Sequence, residues 1–388
     1  MEAYKYFLLL PGLFLTACID PFEMKEAESF GGILVVDGTV SSGLTVVNLS
    51  RSAAMGEEID DVGVVDGATI FVECSDGSFS AASVYVGGGR YEIEAGVLDT
   101  ARQYRLRISL DGLEYASAFL TPLVTPAIDS LSVSKHGRGE PVYINVSTHK
   151  DGNEVSYYRW KYTERWEFKA ELFASAGYHD MASFWTFIAY HRNTSRNTYY
   201  CWGADSTYIA GQSANLAGNA IVNRKLMEID PSGDKLSILY YVSVEQQLIR
   251  EDAHIYLVNR IKNATQVGGL FGHIPAEMDG NIKCLNDPQL PVIGHVEVST
   301  PTYAELFIPE REGGLYEPPV GDCGDMVMFN YTRYDLGASY IYSFIVGSEE
   351  RDGGVVGGTI ISLAPRRCVD CTMRGTKNKP SFWPTDPL

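Results

Sequence analysis

Tyr104–Leu120 reads YRLRISLDGLEYASAFL. Tyr104, Leu106, Ile108 and Leu110 alternate with Arg105, Arg107 and Ser109. That period of two turns one face of a strand to a core and the other to water. Asp111-Gly112 follows as a two-residue hairpin turn, because both residue types tolerate a positive φ. Leu113–Leu120 then returns as the partner strand.

The same pattern extends outward. GGILVVDGTV (31–40) is a short apolar run closed by a turn. In VDGATIFVECSDGSF (65–79) two Asp-Gly turns bracket a strand over Thr69–Cys74. Short strands at close spacing predict a β-sandwich over residues 31–125. TPLVTPAIDSL (121–131) carries two prolines and marks a boundary near residue 125.

Beyond it, Pro141–Ser147, Ser156–Phe168 and Lys235–Val244 are strand candidates, whereas 169–200 is aromatic and polar without a steady period. Ile249, Ala253, Tyr256, Leu257 and Ile261 share one helical face, with Arg250, Glu251, Asn259 and Lys262 elsewhere. PVIGHVEVSTPTYAELFIP (291–309) returns to strands and is expected to close a second sheet. The reading is a mainly β chain. Residues 126–310 form a second β-rich, sandwich-like domain with a helical insertion, and 311–388 form a C-terminal extension.

Residues 1–17 have the layout of a signal peptide. Lys5 is the one base of its n-region, and Tyr6–Leu15 is an apolar run too short to span a bilayer. Leu15-Thr16-Ala17-Cys18 is similar to a bacterial lipobox, which predicts lipid on Cys18. The plainer alternative is an ordinary signal with an incidental cysteine. Residues 18–30 read as an acidic tether. Asp20, Glu23 and Glu26, with Glu28, resemble the short acidic export signals of Bacteroidota lipoproteins. A solvated linker has the same composition. The expected location is the outer membrane, lipid-anchored and facing outward.

Composition narrows the chemistry. Acids outnumber bases 49 to 31, a net charge of -18 over 388 residues, which disfavours nucleic acid. There is no H-E-x-x-H, no G-x-S-x-G and no phosphate-cradling loop. Tyr178-His179-Asp180 sets an imidazole beside a carboxylate, a pair common by chance. The acidic clusters at 57–63 and 151–154 lack the spacing of a calcium loop. No catalysis, metal or cofactor is expected. Trp185, Tyr190 and Trp202 belong to an aromatic-rich region. Aromatic platforms bind sugars and peptides, but aromatics also fill cores, and both readings stand.

Six cysteines remain beyond Cys18. An exported, oxidising compartment favours disulfides. Cys368-Val369-Asp370-Cys371 is therefore read as structural rather than as a zinc or redox motif, bonded internally or with one member taking Cys323. Cys74 lies on the face of Ile70 and Val72 and reads as a buried free thiol.

Several of these pieces, in order, resemble one family. They are the lipobox, LVVDGTV, GATIFV, GRYEI, the 104–117 hairpin, PAIDSL, YYCW, the helix, GGLFGHIPAEMDGNIKC, PVIGHVEVS, CVDC and KPSFWP. The chain is similar to the Bacteroidota outer-membrane lipoproteins grouped as domain of unknown function 4249. The resemblance implies that the first sandwich is immunoglobulin-like or carboxypeptidase-regulatory-like. It also implies partnership with a TonB-dependent outer-membrane receptor. Because YYCW and GNIKC recur in that family, Cys201 is expected to pair with Cys284. Two functions follow: a surface accessory or binding lipoprotein of a transporter, or a structural component of the outer envelope without a small ligand.

Overall fold

Strands dominate residues 32–52, 63–152, 154–174, 176–178, 187–189, 198–212, 220–266, 280–310, 314–318, 323, 327–331, 344–350 and 359–385, the residues described by the computed structural model. The first eight strands are β1 (Leu34–Val40), β2 (Leu44–Arg51), β3 (Thr69–Cys74), β4 (Val84–Gly87), β5 (Arg90–Glu94), β6 (Tyr104–Leu110), β7 (Leu113–Ser117) and β8 (Leu123–Val124). Then come β9 (Ile128–Ser134), β10 (Val142–His149), β11 (Tyr157–Lys169), β12 (Ala176–Tyr178), β13 (Phe187–Ala189), β14 (Tyr200–Gln212), β15 (Ala220–Ile229), β16 (Leu239–Ile249) and helix α1 (Glu251–Gln266). The chain continues through β17 (Ile282–Cys284), β18 (Val292–Gly294), β19 (Glu297–Thr300) and β20 (Thr302–Pro309). It ends with β21 (Val327–Tyr331), β22 (Phe344–Glu350), β23 (Thr359–Ala364) and the short helix α2 (Arg366–Val369). Among the described residues no helix is long and apolar enough to cross a membrane.

The 104–120 hairpin forms as its alternation dictates. Tyr104, Leu106, Ile108 and Leu110 are buried. On the outer face Arg105 and Arg107 share the Glu73 carboxylate, at 2.7 and 3.3 Å. Asp111 and Gly112 both take positive φ, 54° and 78°, as a two-residue hairpin of this twist requires. This hairpin sits in the sheet β17-β7-β6-β3, which packs on the sheet β4-β5-β2-β1-β19-β8. Leu49, Ile70, Ile93, Ile108 and Val298 lie in the shared core. The chain is mainly β and its first unit is a sandwich.

One expectation needs correction. Residues 291–309 do not act as one piece, because only β20 joins the second sandwich, beside β16. β18 and β19 instead run parallel to β1, and β17 pairs with β7. Residues 282–300 therefore complete the first sandwich, and 126–310 is not a continuous unit. The side chains explain the return. Val296 and Val298 fill the first core, while His295, Glu297 and Ser299 alternate to the other side. Two glycines permit the docking. A Cβ on Gly294 would stand 2.5 Å from the Val36 carbonyl oxygen, and one on Gly280 would stand 2.1 Å from that of Gly294.

The second sandwich packs sheet β15-β10-β9 on sheet β14-β11-β16-β20. Trp160 and Tyr158 stack at its centre, with ring centroids 5.4 Å apart, and both are fully buried. Several buried polar groups here are matched, as a low-dielectric interior favours, although the Tyr158 hydroxyl has no partner. Trp160 Nε1 donates to Gln246 Oε1 at 2.8 Å, and Gln246 Nε2 donates to the Pro126 carbonyl and to Thr148 Oγ1. Buried Glu164 accepts from Lys235 Nζ at 2.8 Å and from the Tyr240 hydroxyl at 2.6 Å.

The segment read as a C-terminal extension is built into the fold. β21, β22 and β23 join β12 and β13 in a five-stranded sheet. The chain after α2 lies against β14, where Trp202 and Thr376 bridge, and Trp383 Nε1 donates to Glu167 Oε2 at 2.8 Å. Two disulfides pin this region, Cys201–Cys371 and Cys323–Cys368. The expected Cys201–Cys284 bridge is not formed. Strand β17 carries Cys284 into the first core, where it is a buried free thiol, while Cys201 belongs to the second sandwich. Cys74 is the other buried free thiol. Cys74 and Cys284 lie on the two edge strands of one four-stranded sheet, well beyond disulfide reach at about 4.8 Å per strand. The C-x-x-C members do not bond to each other. Cys368 takes Cys323, and Cys371 takes Cys201.

Candidate functional site

Strand β19 is the seam of the molecule. Val298, with Val296 just before the strand, faces the first core, and the polar alternates face α1, β11 and β16. Most of the polar groups there are matched across the seam. Thr39 Oγ1 donates to Gln247 Oε1 at 3.2 Å, and Arg159 Nη2 donates to Thr39 Oγ1 at 3.1 Å. Ser41 Oγ donates to the Ser299 carbonyl at 3.1 Å. The Leu248 amide donates to Thr125 Oγ1 at 3.0 Å. Arg250 leaves the end of β16, binds Glu297 Oε2 at 2.9 Å and also reaches the Thr121 carbonyl.

Within this seam Asp252, His295 and Glu297 converge. Glu297 and His295 lie two residues apart on an extended segment, so they share a face. Asp252 is the second residue of α1. One donor atom from each lies within 4.8 Å of the others. The His295 side chain is 4 % exposed and Glu297 is 4 % exposed. His295 Nε2 is 3.4 Å from Asp252 Oδ2. Its Nδ1 has no partner, nor has Glu297 Oε1. Burial pushes the Glu297 carboxyl up to about 7, against the pull of Arg250. Burial also holds the His295 imidazole below its ordinary value, so the ring is neutral near pH 7 although Asp252 pulls the other way.

His295 and Glu297 border a cavity of about 10 Å³, with Thr39, Arg159, Gln247, Tyr256 and Arg260 among its other walls. That is room for one water or one ion and not for an organic ligand. A second, open groove of about 460 Å³ is lined by Lys135, His136, Arg138 and Glu317. There Lys135 Nζ is already bound to Glu317 Oε1 at 2.6 Å and to two backbone carbonyls.

Cys18, Asp20, Glu23 and Glu26 lie outside the described residues, as do Trp185, Tyr190, His179 and Asp180. Trp202 is half-buried and packs with Leu239, Tyr241 and Trp383 under the C-terminal segment. The C-x-x-C follows strand β23 and enters α2, the setting of a redox motif, but both sulfurs are buried and bonded to distant partners. The seam cluster was missed in the sequence because Asp252 and His295 are far apart there. The available signal was His295-Val296-Glu297, two polar groups alternating with a core valine.

None of the curated proteins matches the chain. One solved structure is described as the complete structure of manganese lipoxygenase of Gaeumannomyces graminis and partial structure of zonadhesin of Komagataella pastoris. It aligns with 57 % of this chain and 91 % of its own at 11 % identity and a TM-score of 0.16, a likeness too slight to carry an argument. The family comparison reaches much further and spans the pieces from LVVDGTV to PVIGHVEVS. Residues 19–304 match the family described as Domain of unknown function (DUF4249), and the chain belongs to it.

Proposed function

We propose that the protein is a Bacteroidota outer-membrane lipoprotein, anchored by lipid on Cys18 and facing outward, that binds rather than catalyses and works beside a TonB-dependent transporter. The observation that carries the reading is Leu15-Thr16-Ala17-Cys18 directly after a short apolar run. The 16 residue-to-residue steps from Cys18 to Leu34 can reach at most about 55 Å, so the folded part stays close to the bilayer that holds the lipid. The acids Asp20, Glu23 and Glu26 fall in that tether, in keeping with an export signal. The transporter partnership follows from the family resemblance and from the location.

A Cys18→Ser variant is expected to lose the outer-membrane fraction and to persist unprocessed or be released. Several buried acyl methylenes at about 0.8 kcal/mol each make a multiply acylated anchor stable, and nothing equivalent would replace it. Fractionation of wild type and variant on a density gradient is the check. A Cys18→Ser protein that still travels wholly with the outer membrane would show that the anchor is elsewhere.

A further inference from the structure

We propose that Asp252, His295 and Glu297 bind one divalent transition-metal ion of the zinc class, which ties helix α1 to strand β19 across the seam between the two sandwiches. This goes beyond the lipoprotein reading and does not rest on it.

Two independent observations point to the ion. The first is convergence: one imidazole and two carboxylates from separate elements offer donor atoms within 4.8 Å of one another. The second is an unmet need. Glu297 Oε1 is buried without a partner, a costly state for a polar atom in a protein interior. Glu297 is not simply consumed by Arg250, which engages Oε2 and the Thr121 carbonyl and leaves Oε1 open. The cavity beside these atoms has the volume of a single small ion or water.

The donor set selects the class of ion. Nitrogen with carboxylate oxygen suits zinc and its first-row neighbours at about 2.0–2.2 Å, whereas calcium takes six to eight oxygen ligands. Asp252 and Glu297 supply oxygen donors, Glu297 while also facing Arg250, and His295 supplies a nitrogen donor. The three donors must draw together to bind at such distances. Asp252 supplies that movement, because its side chain is 65 % exposed while His295 and Glu297 are held by packing. The position left open falls to a water in the cavity. The Gln247 amide lines that cavity and Nε2 has no acceptor, so it is a donor for the water.

The test uses the full-length chain, purified in detergent and stripped with a chelator, titrated calorimetrically with zinc chloride. Wild type is expected to take up one equivalent and to gain thermal stability from it. Asp252→Asn should bind at least about tenfold more weakly, the scale of loss seen when the surroundings of a metal site are damaged. His295→Ala should lose the one-equivalent uptake altogether. Asp252 is exposed, so its variant keeps the fold even if the buried histidine proves necessary for folding, and near-UV circular dichroism verifies this. Failure of the wild type to bind zinc overturns the proposal. So does equal affinity in wild type and Asp252→Asn.

Discussion

Replacing Cys201 and Cys371 together by serine is expected to cost the folded chain about 4 to 5 kcal/mol, since a cross-link over so long a loop removes much unfolded-state entropy. The bond joins residues 170 apart in sequence, and both cysteines are fully buried. It fastens the segment after α2 to β14, where Cys201 and Cys371 pack with Phe168 and Ala170. The Cys323–Cys368 bond, which closes a separation of 45, lies within the same loop, so its removal alone should cost less. Urea unfolding of oxidised wild type and double variant measures the difference. A loss under about 1 kcal/mol would mean that packing, and not the cross-link, holds the C-terminal segment in place.

Trp160→Ala is expected to destabilise by about 3 to 5 kcal/mol, through lost burial and the cavity left behind. Trp160 fills the centre of the second sandwich, stacked on Tyr158 and fully buried. Trp160→Phe separates the two roles of the side chain. It keeps an aromatic ring but removes the donor to Gln246 Oε1, so it should cost about 1 to 3 kcal/mol for the unpaired carbonyl. Denaturant midpoints at constant slope read both values. A Trp160→Phe protein as stable as wild type would show that Gln246 does not depend on this bond.

Much of the first sandwich was legible because its strands have one wet face. The Tyr104–Leu110 alternation, the Asp111-Gly112 turn and the helical stripe from Ala253 through Tyr256 and Leu257 reappear as structure, whereas Ile249, read as the start of that stripe, ends strand β16. Strand β16 was harder to read because both of its faces are covered. Tyr240, Val242 and Val244 face the core, while Leu239 and Tyr241 lie against Trp383. A strand buried on both sides loses its period of two. The return of residues 282–300 to the first sandwich was hidden for another reason. Parallel pairing with β1 leaves no hairpin turn to announce it. The disulfide error follows from that omission, since placing β17 in the wrong sandwich also misplaces Cys284. The seam cluster was invisible because its members meet only once that return is made.

Co-purification from outer membranes tests the proposed role most directly. The full-length chain carries an affinity tag at its C-terminus, the membranes are solubilised in mild detergent, and the eluate is quantified by mass spectrometry. The account predicts a TonB-dependent receptor in near-equimolar yield with the tagged chain. Recovery of the chain alone, or with receptors only at the trace level of abundant membrane proteins, would contradict it.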